Sequence, residues 1–364
     1  MKPNGSDRSE ARTASAAPSE GPNAHQAEVG AQGGNFALAV LRRSLAGLVL
    51  ASLCSLPLIA ATPAPKAAAL RDDYTNTAFT AALGEGLRAF YTRDFPGARK
   101  GFESALTIVP DNTLALSFLN AAAAQTPGDL DALVDTEEDA LAKDPKSALA
   151  HVRLGFSYMF ASLAGRDRNV DAREELNAAV QLDPTSQSAH TALGIMRESE
   201  RSANRAKTEF VEALATDPQN VLAREYLALI YQTDLKDPQR ALSPIINVPN
   251  LVPDYADIYF HIASLMHDMG QYEAAIGYAT RGLQADIGHV GEAGQHGYTL
   301  LARIYLDEKK PEDARRVLRA SITAGTDTAY AETLLKKIDD GAFGKIVASP
   351  SPAPSSSPIK KKKL

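Results

Sequence analysis

From Phe79 to about Thr328 the chain repeats one order of apolar and polar positions. A pair of small and large apolar residues comes first, a polar stretch follows, and a second apolar stripe is closed by a proline. The block from Gln187 to Asn220 shows this most fully, with Leu193-Gly194, then Ala206, Phe210 and Ala213, then Pro218. Apolar residues three and four apart mark one face of a helix. Each block therefore predicts two helices joined by a short turn. The proline stops the second helix, because it lacks an N–H and clashes with the preceding turn.

The prolines set the period. Pro110, Pro145, Pro184, Pro218 and Pro253 follow one another at intervals of 35, 39, 34 and 35 residues. Three stand in Asp-Pro dipeptides (Asp144-Pro145, Asp183-Pro184 and Asp217-Pro218), where the residue before proline is turned away from helix. Residues 79–112 carry Gly86, Phe95, Ala98, Phe102, Ala105 and Pro110 in the same order. From Ala148 the order is Leu154-Gly155, Tyr158, Ala172, Leu176, Ala179 and Pro184, with extra residues around Gly165-Arg166-Asp167. Further copies start near Val221, Ala256 and Gln295, and the copy between Pro110 and Pro145 is degenerate, with Ala121 and Leu133 in place of Gly and Ala.

A 34-residue helix–turn–helix period with these spacings resembles the tetratricopeptide repeat. The resemblance covers residues 79–328 and implies an all-α, right-handed α-solenoid of about seven repeats. Thr328–Ile346, with Leu334, Leu335 and Ile338 on one side and Lys336-Lys337 and Asp339-Asp340 on the other, fits the capping helix (329–346) that such an array requires. Gly86, Gly155 and Gly194 are expected to meet Ala98, Ala172 and Ala206 where the two helices of a hairpin cross. Phe102, Leu176, Phe210 and Leu318 are expected to fill the seam with the next repeat.

The ends read differently. Residues 1–35 hold few large apolar side chains and predict a disordered segment. Within 36–61, Arg42-Arg43 precede an apolar run from Ser44 to Ala61, which predicts a signal peptide or a retained membrane anchor. A linker follows at 62–78. Residues 347–364 are Ser/Pro-rich and end in Lys360–Lys363, a solvated tail. This order places the repeats in the bacterial periplasm, or on the outer side of the inner membrane, with membrane contact through 44–61 if that segment is kept.

Composition narrows the chemistry. The single cysteine, Cys54, rules out an internal disulfide and a multi-cysteine zinc site, and the net charge of −6 disfavours a nucleic-acid binder that works by neutralising phosphates. No phosphate-binding loop or nucleophile elbow is present. His151 and His190 fall at a packing position of their repeats. His261 and His267, six residues apart, point to different sides of a helix. The sequence predicts no catalytic centre, no cofactor, no metal site and no small-molecule substrate.

The resemblance implies that first helices line a concave groove that takes a protein or peptide. Carried over, the groove positions include Leu83, Leu87 and Phe90, then Val152, Phe156 and Met159. Glu225, Leu229 and Gln232 come from a later repeat, beside Tyr226; Phe260, Ser264, His267 and Arg303 come from the last two. Leu83 and Leu87 stand where some relatives have a Lys/Asn clamp for chaperone C-termini, which removes that role. Phe156, Tyr226 and Phe260 are the expected aromatic anchors. The function expected is a non-enzymatic scaffold for an envelope complex; the alternative is a regulatory or substrate-recruiting subunit of a separately encoded enzyme.

Overall fold

The computed structural model describes residues 72–343 apart from Gly291; the expected disordered start, signal or anchor segment, most of the linker and the tail lie outside them. All the regular elements among the described residues are helices. They pair in sequence order. Repeat one is α1 (Thr77–Tyr91) with α2 (Phe95–Ile108), repeat two α3 (Thr113–Ala123) with α4 (Asp129–Lys143), and repeat three α5 (Ala148–Leu163) with α6 (Asn169–Leu182). Repeat four is α7 (Gln187–Ser199) with α8 (Ala203–Thr216). In repeat five, α9 (Val221–Thr233) pairs with α10 (Pro238–Ile245), and the chain turns again as α11 (Val248–Leu251). Repeat six is α12 (Ala256–Asp268) with α13 (Tyr272–Ala285); the short α14 (Glu292–Gln295) precedes repeat seven, α15 (Gly297–Asp307) with α16 (Pro311–Ala324). The closing helix is α17, Thr328–Asp339, shorter than the sequence suggests.

Five of the seven first helices start on a side chain that accepts a free backbone N–H of the first turn. Asn76, Asn112, Ser147, Ser186 and Asn220 take the amides of Phe79, Ala115, Ala150, Ala189 and Ala223. Two residues before Asn112, Ser147, Ser186, Asn220 and Tyr255 stands the proline that ended the preceding hairpin. The carbonyl of four of these prolines is bound by a side chain of the next helix: His151 Nε2 at 3.2 Å from Pro145, His190 Nε2 at 3.1 Å from Pro184, Arg224 Nε at 2.6 Å from Pro218, and the Tyr259 hydroxyl at 3.0 Å from Pro253. The two histidines also reach Glu175 and Glu209 through Nδ1, at 2.5 and 2.8 Å. For His190 the Glu209 hydrogen bond holds the imidazole above its ordinary value in spite of burial. These histidines thus tie a turn to both helices of a hairpin.

Within hairpins Gly86, Gly155 and Gly194 each lie under a large side chain of the second helix. A Cβ at Gly86 would lie 2.7 Å from the Phe102 ring, at Gly155 2.5 Å from Leu176, and at Gly194 2.6 Å from Phe210. Phe102, Leu176 and Phe210 thus lie over the glycine of their own hairpin, and at Gly155 the carbonyl of Ala172 follows at 3.6 Å. The alanines Ala98, Ala172 and Ala206 are nonetheless fully buried.

First and second helices differ sharply in burial. All 11 residues of α3 are buried, whereas its partner α4 buries only Leu130 and Glu137. Ten of the 13 residues of α7 are buried against Ala206, Phe210 and Ala213 alone in α8. First helices therefore form the interior, second helices the outside. A helix apolar all round, such as α3, belongs in a core. Here it is surrounded by the first helices of its own array, touching α1, α5, α7 and α9.

Candidate functional site

The array comes back on itself. Phe118 of α3 meets Phe90, Tyr91 and Phe102 of repeat one at ring-centroid distances of 5.0, 5.9 and 5.7 Å, and Tyr255, just before α12, at 5.6 Å. The Tyr91 hydroxyl donates to Asp257 at 2.9 Å, and Arg88 pairs with Asp254 at 2.5 Å. The amide of Gly288 donates to the Tyr91 carbonyl at 2.7 Å, an approach a side chain at 288 would block, its Cβ falling 2.6 Å from that oxygen. One turn further in, the Asp72 amide donates to Asp217 at 2.8 Å and the Thr113 hydroxyl to Asn220 at 3.1 Å. Gln187 donates to the carbonyl and carboxylate of Asp111. Residues 72–123 thus fill the concave side of repeats four to six.

Most of the expected groove positions are enclosed. Leu83, Leu87, Phe90, Val152, Phe156, Met159, Tyr226, Leu229 and Phe260 are all buried, at 3% exposure or less. Phe156, Tyr226 and Phe260 therefore have no surface to offer a partner, and their role as anchors is corrected to core packing. Tyr226 stacks on Phe210 at 5.5 Å, and Phe260 occupies the space over Gly282 and Gly297. Glu225 is also enclosed and accepts the Tyr255 hydroxyl. Tyr226 and Phe260 are thus enclosed by helices of their own and adjacent repeats.

The seam is rich in enclosed carboxylates. Burial, with the charge of Asp217 added, pushes Asp72 well above the usual carboxylate range. Burial does the same for Asp257, with Asp286 and Glu225 contributing. Asp111 is raised as well, again chiefly by burial. Sequence reasoning missed this network. Its one legible sign is the Asn or Ser two residues after Pro110, Pro145, Pro184 and Pro218, which caps a helix each time and at Asn112 and Asn220 also faces the seam.

What stays open lies near the ends of the last first helices. Gln232 of α9 donates to Ser264 at 3.1 Å and to Asp268 at 2.8 Å, and His267 of α12 binds Asp307 of α15 at 2.6 Å. One turn before Asp307 stands Arg303, half-buried, with no ion pair among the described residues. Together these side chains make a polar strip across repeats five to seven. A second opening, of about 370 Å³, lies between α1 and the Asn250–Asp254 turn. Among the described residues no group of His, Cys, Asp or Glu is placed to hold a metal ion, and no helix is long and apolar enough to cross a membrane.

No family model and no curated protein matches the chain. Solved structures do. The human IFIT1 dimer with m7Gppp-AAAA is similar at a TM-score of 0.50 and 14% identity, over 68% of this chain and 58% of that one. A tetratricopeptide repeat protein from Parabacteroides merdae gives 0.41 and 17%, over 72% and 98%. YrrB, described as a TPR protein with an unusual peptide-binding site, gives 0.44 and 17%, over 56% and 99%. At such identities the likeness is one of fold, and it agrees with the helix pairs, glycine positions and proline-ended hairpins described above. This is a tetratricopeptide-repeat-like α-solenoid. As a TPR-like protein it departs from an open array in the filling of its concave side by its own first hairpins.

Proposed function

We propose that this TPR-like protein is a non-catalytic scaffold that binds an extended segment of a protein partner along the polar strip of repeats five to seven. The observation that carries this reading is Arg303. Its half-buried guanidinium has no ion pair among the described residues, and it stands one turn before Asp307, which binds His267 of α12, the helix whose Ser264 and Asp268 accept from Gln232 of α9. Such a cation suits a carboxylate of the partner, which it can hold through two parallel hydrogen bonds. Nucleic acid is disfavoured, because the strip also carries Asp268 and Asp307 and the chain is acidic.

Crosslinking tests this directly. A photoreactive residue at position 303 is expected to capture a protein from cells, and one at Val211, on the outer helix α8, is not. Arg303→Ala should weaken binding of the captured partner about tenfold or more, within the range of about 1–3 kcal/mol for an interface arginine. Equal capture at both positions, or an unaltered affinity, sinks the assignment.

The reading extends to place. Arg42-Arg43 ahead of the apolar run 44–61 support export or anchoring in a bacterial envelope, with the repeats outside the cytoplasm. A reporter active only in the periplasm, fused after residue 75, should be active; one that works only in the cytosol should not. The reverse pattern would overturn the envelope assignment.

A further inference from the structure

One register position recurs along the array with a fixed task. The fourth residue of α5, α7, α9 and α12 (His151, His190, Arg224 and Tyr259) is bound to the carbonyl of the proline that ended the preceding hairpin. A carbonyl oxygen can only accept, so the side chain at this place must donate. Arg224 does so as a permanent cation, and a second of its nitrogens reaches the Pro244 carbonyl at 3.4 Å. Tyr259 does so with a neutral hydroxyl. The histidines differ in what their other nitrogen meets. Nδ1 of His151 lies 2.5 Å from Glu175, and Nδ1 of His190 lies 2.8 Å from Glu209. Both glutamates are the seventh residue of their second helix, α6 and α8. An ionised carboxylate also only accepts. Each imidazole is therefore set between two acceptors, and only a ring with a proton on both nitrogens serves both at once.

We propose that these two rings are pH-sensitive locks: as imidazolium each fastens the second helix of its hairpin to the first helix and to the preceding turn, and loss of one proton loosens repeats three and four. This inference is independent of the partner assigned to the polar strip.

The surroundings favour the charged ring. The side chains of His151 and His190 are 13% and 10% exposed, so a charge-assisted bond there is screened less than at a free surface. Around His190, the Glu209 hydrogen bond, the Pro184 carbonyl and the charges of Glu209 and Glu212 together outweigh burial, which acts against the cation. The other charged groups on the elements packed against α7 are engaged elsewhere. Asp183 in the preceding turn is bound by Thr185, and Arg173 of α6 pairs with Glu200 beyond the far end of α7. Arg224 of α9 holds Pro218, and Glu225 accepts the Tyr255 hydroxyl. On the elements packed against α5, Asp144 accepts the Lys146 amide and Asp171 pairs with Arg168. Glu137 and Glu138 of α4 bind Arg153 and Tyr158, further along α5 than His151.

Linkage gives the direction of the response. The His190 ring holds its proton more tightly in the locked hairpin than when freed. Its contribution is therefore complete below the ordinary histidine value of about 6.5 and is lost as pH rises through the raised one. Arg224 and Tyr259 keep their protons across that range, so repeats five and six hold their turns without such a response. Because each lock joins elements of a single hairpin, its release acts locally, on the hold of an inner helix over its outer partner.

Hydrogen exchange on the full chain, corrected for intrinsic amide rates, tests the locks. Protection of α6 and α8 is expected to fall about threefold or more between roughly pH 6 and pH 9, with α16 unchanged. In the His151→Arg, His190→Arg double variant it should stay level, because a guanidinium keeps its donors across that range. Should that variant fail to fold, His190→Gln alone should level the α8 profile and leave the slope of α6. A level wild-type profile overturns the proposal, as does a slope that survives in the variants. An equal loss of protection in α16 also overturns it, by showing that the whole array loosens rather than two hairpins.

Discussion

Phe118→Ala is expected to destabilise the protein by about 3–5 kcal/mol, the usual cost of removing a buried phenylalanine from a packed core. The ring is 5% exposed and touches aromatic side chains from α1, α2 and the start of α12. Its edge-on contacts with Phe90 and Tyr255 add to the area it buries. No neighbour can collapse into the gap without moving a whole helix, because the surrounding rings stand on α1, α2 and the start of α12. Urea denaturation of the wild type and the variant measures the loss. A cost below about 1 kcal/mol would mean that the ring is not the hub of the return contact.

The helical hairpins were legible because their cause is local. Each proline, capping residue and glycine acts within about 34 residues, so Gly194, Phe210 and Pro218 suffice to place one repeat and its copies place the rest. The return of the chain onto itself was not legible, since it depends on small rotations summed over several repeats. Two irregularities alter that sum. They are the extra residues around Arg166 and the 286–296 segment, whose Gly288 reaches Tyr91. The strongest hint was the copy that fits least well. Leu114, Leu116, Phe118, Leu119 and the alanines 121–124 are apolar on every side, a pattern for a helix enclosed all round. Read as decay of a motif, it is the adaptation that lets α3 sit inside. Phe156, Tyr226 and Phe260 were expected in the groove because a family position states where a side chain stands in its repeat and not what packs on it; Tyr226 meets Phe210, and Phe260 lies over Gly282 and Gly297. His267 and Arg303, further along the array, keep contact with solvent.

Asn220→Ala should cost about 2–4 kcal/mol, more than the loss of any ordinary helix cap. Asn220 is fully buried, and its amide group makes four hydrogen bonds. The oxygen accepts the Ala223 amide at 2.8 Å and the Thr113 hydroxyl at 3.1 Å, while the nitrogen donates to the Thr191 hydroxyl at 2.9 Å and to Gln187. One of these bonds starts α9, two reach α7, and the fourth holds α3 across the seam. Alanine leaves all these partners enclosed with a donor or acceptor unmatched, and each such group costs about 1–3 kcal/mol when nothing relaxes to meet it. Ser147→Ala supplies the comparison, for Ser147 caps α5 through a single bond to the Ala150 amide and should cost about 0.5–2 kcal/mol. Denaturation of both variants separates capping from closure. If Asn220→Ala costs no more than Ser147→Ala, the seam network adds nothing to stability. A larger loss, accompanied by faster exchange in α3, would show that one side chain both starts a repeat and fastens the array upon itself.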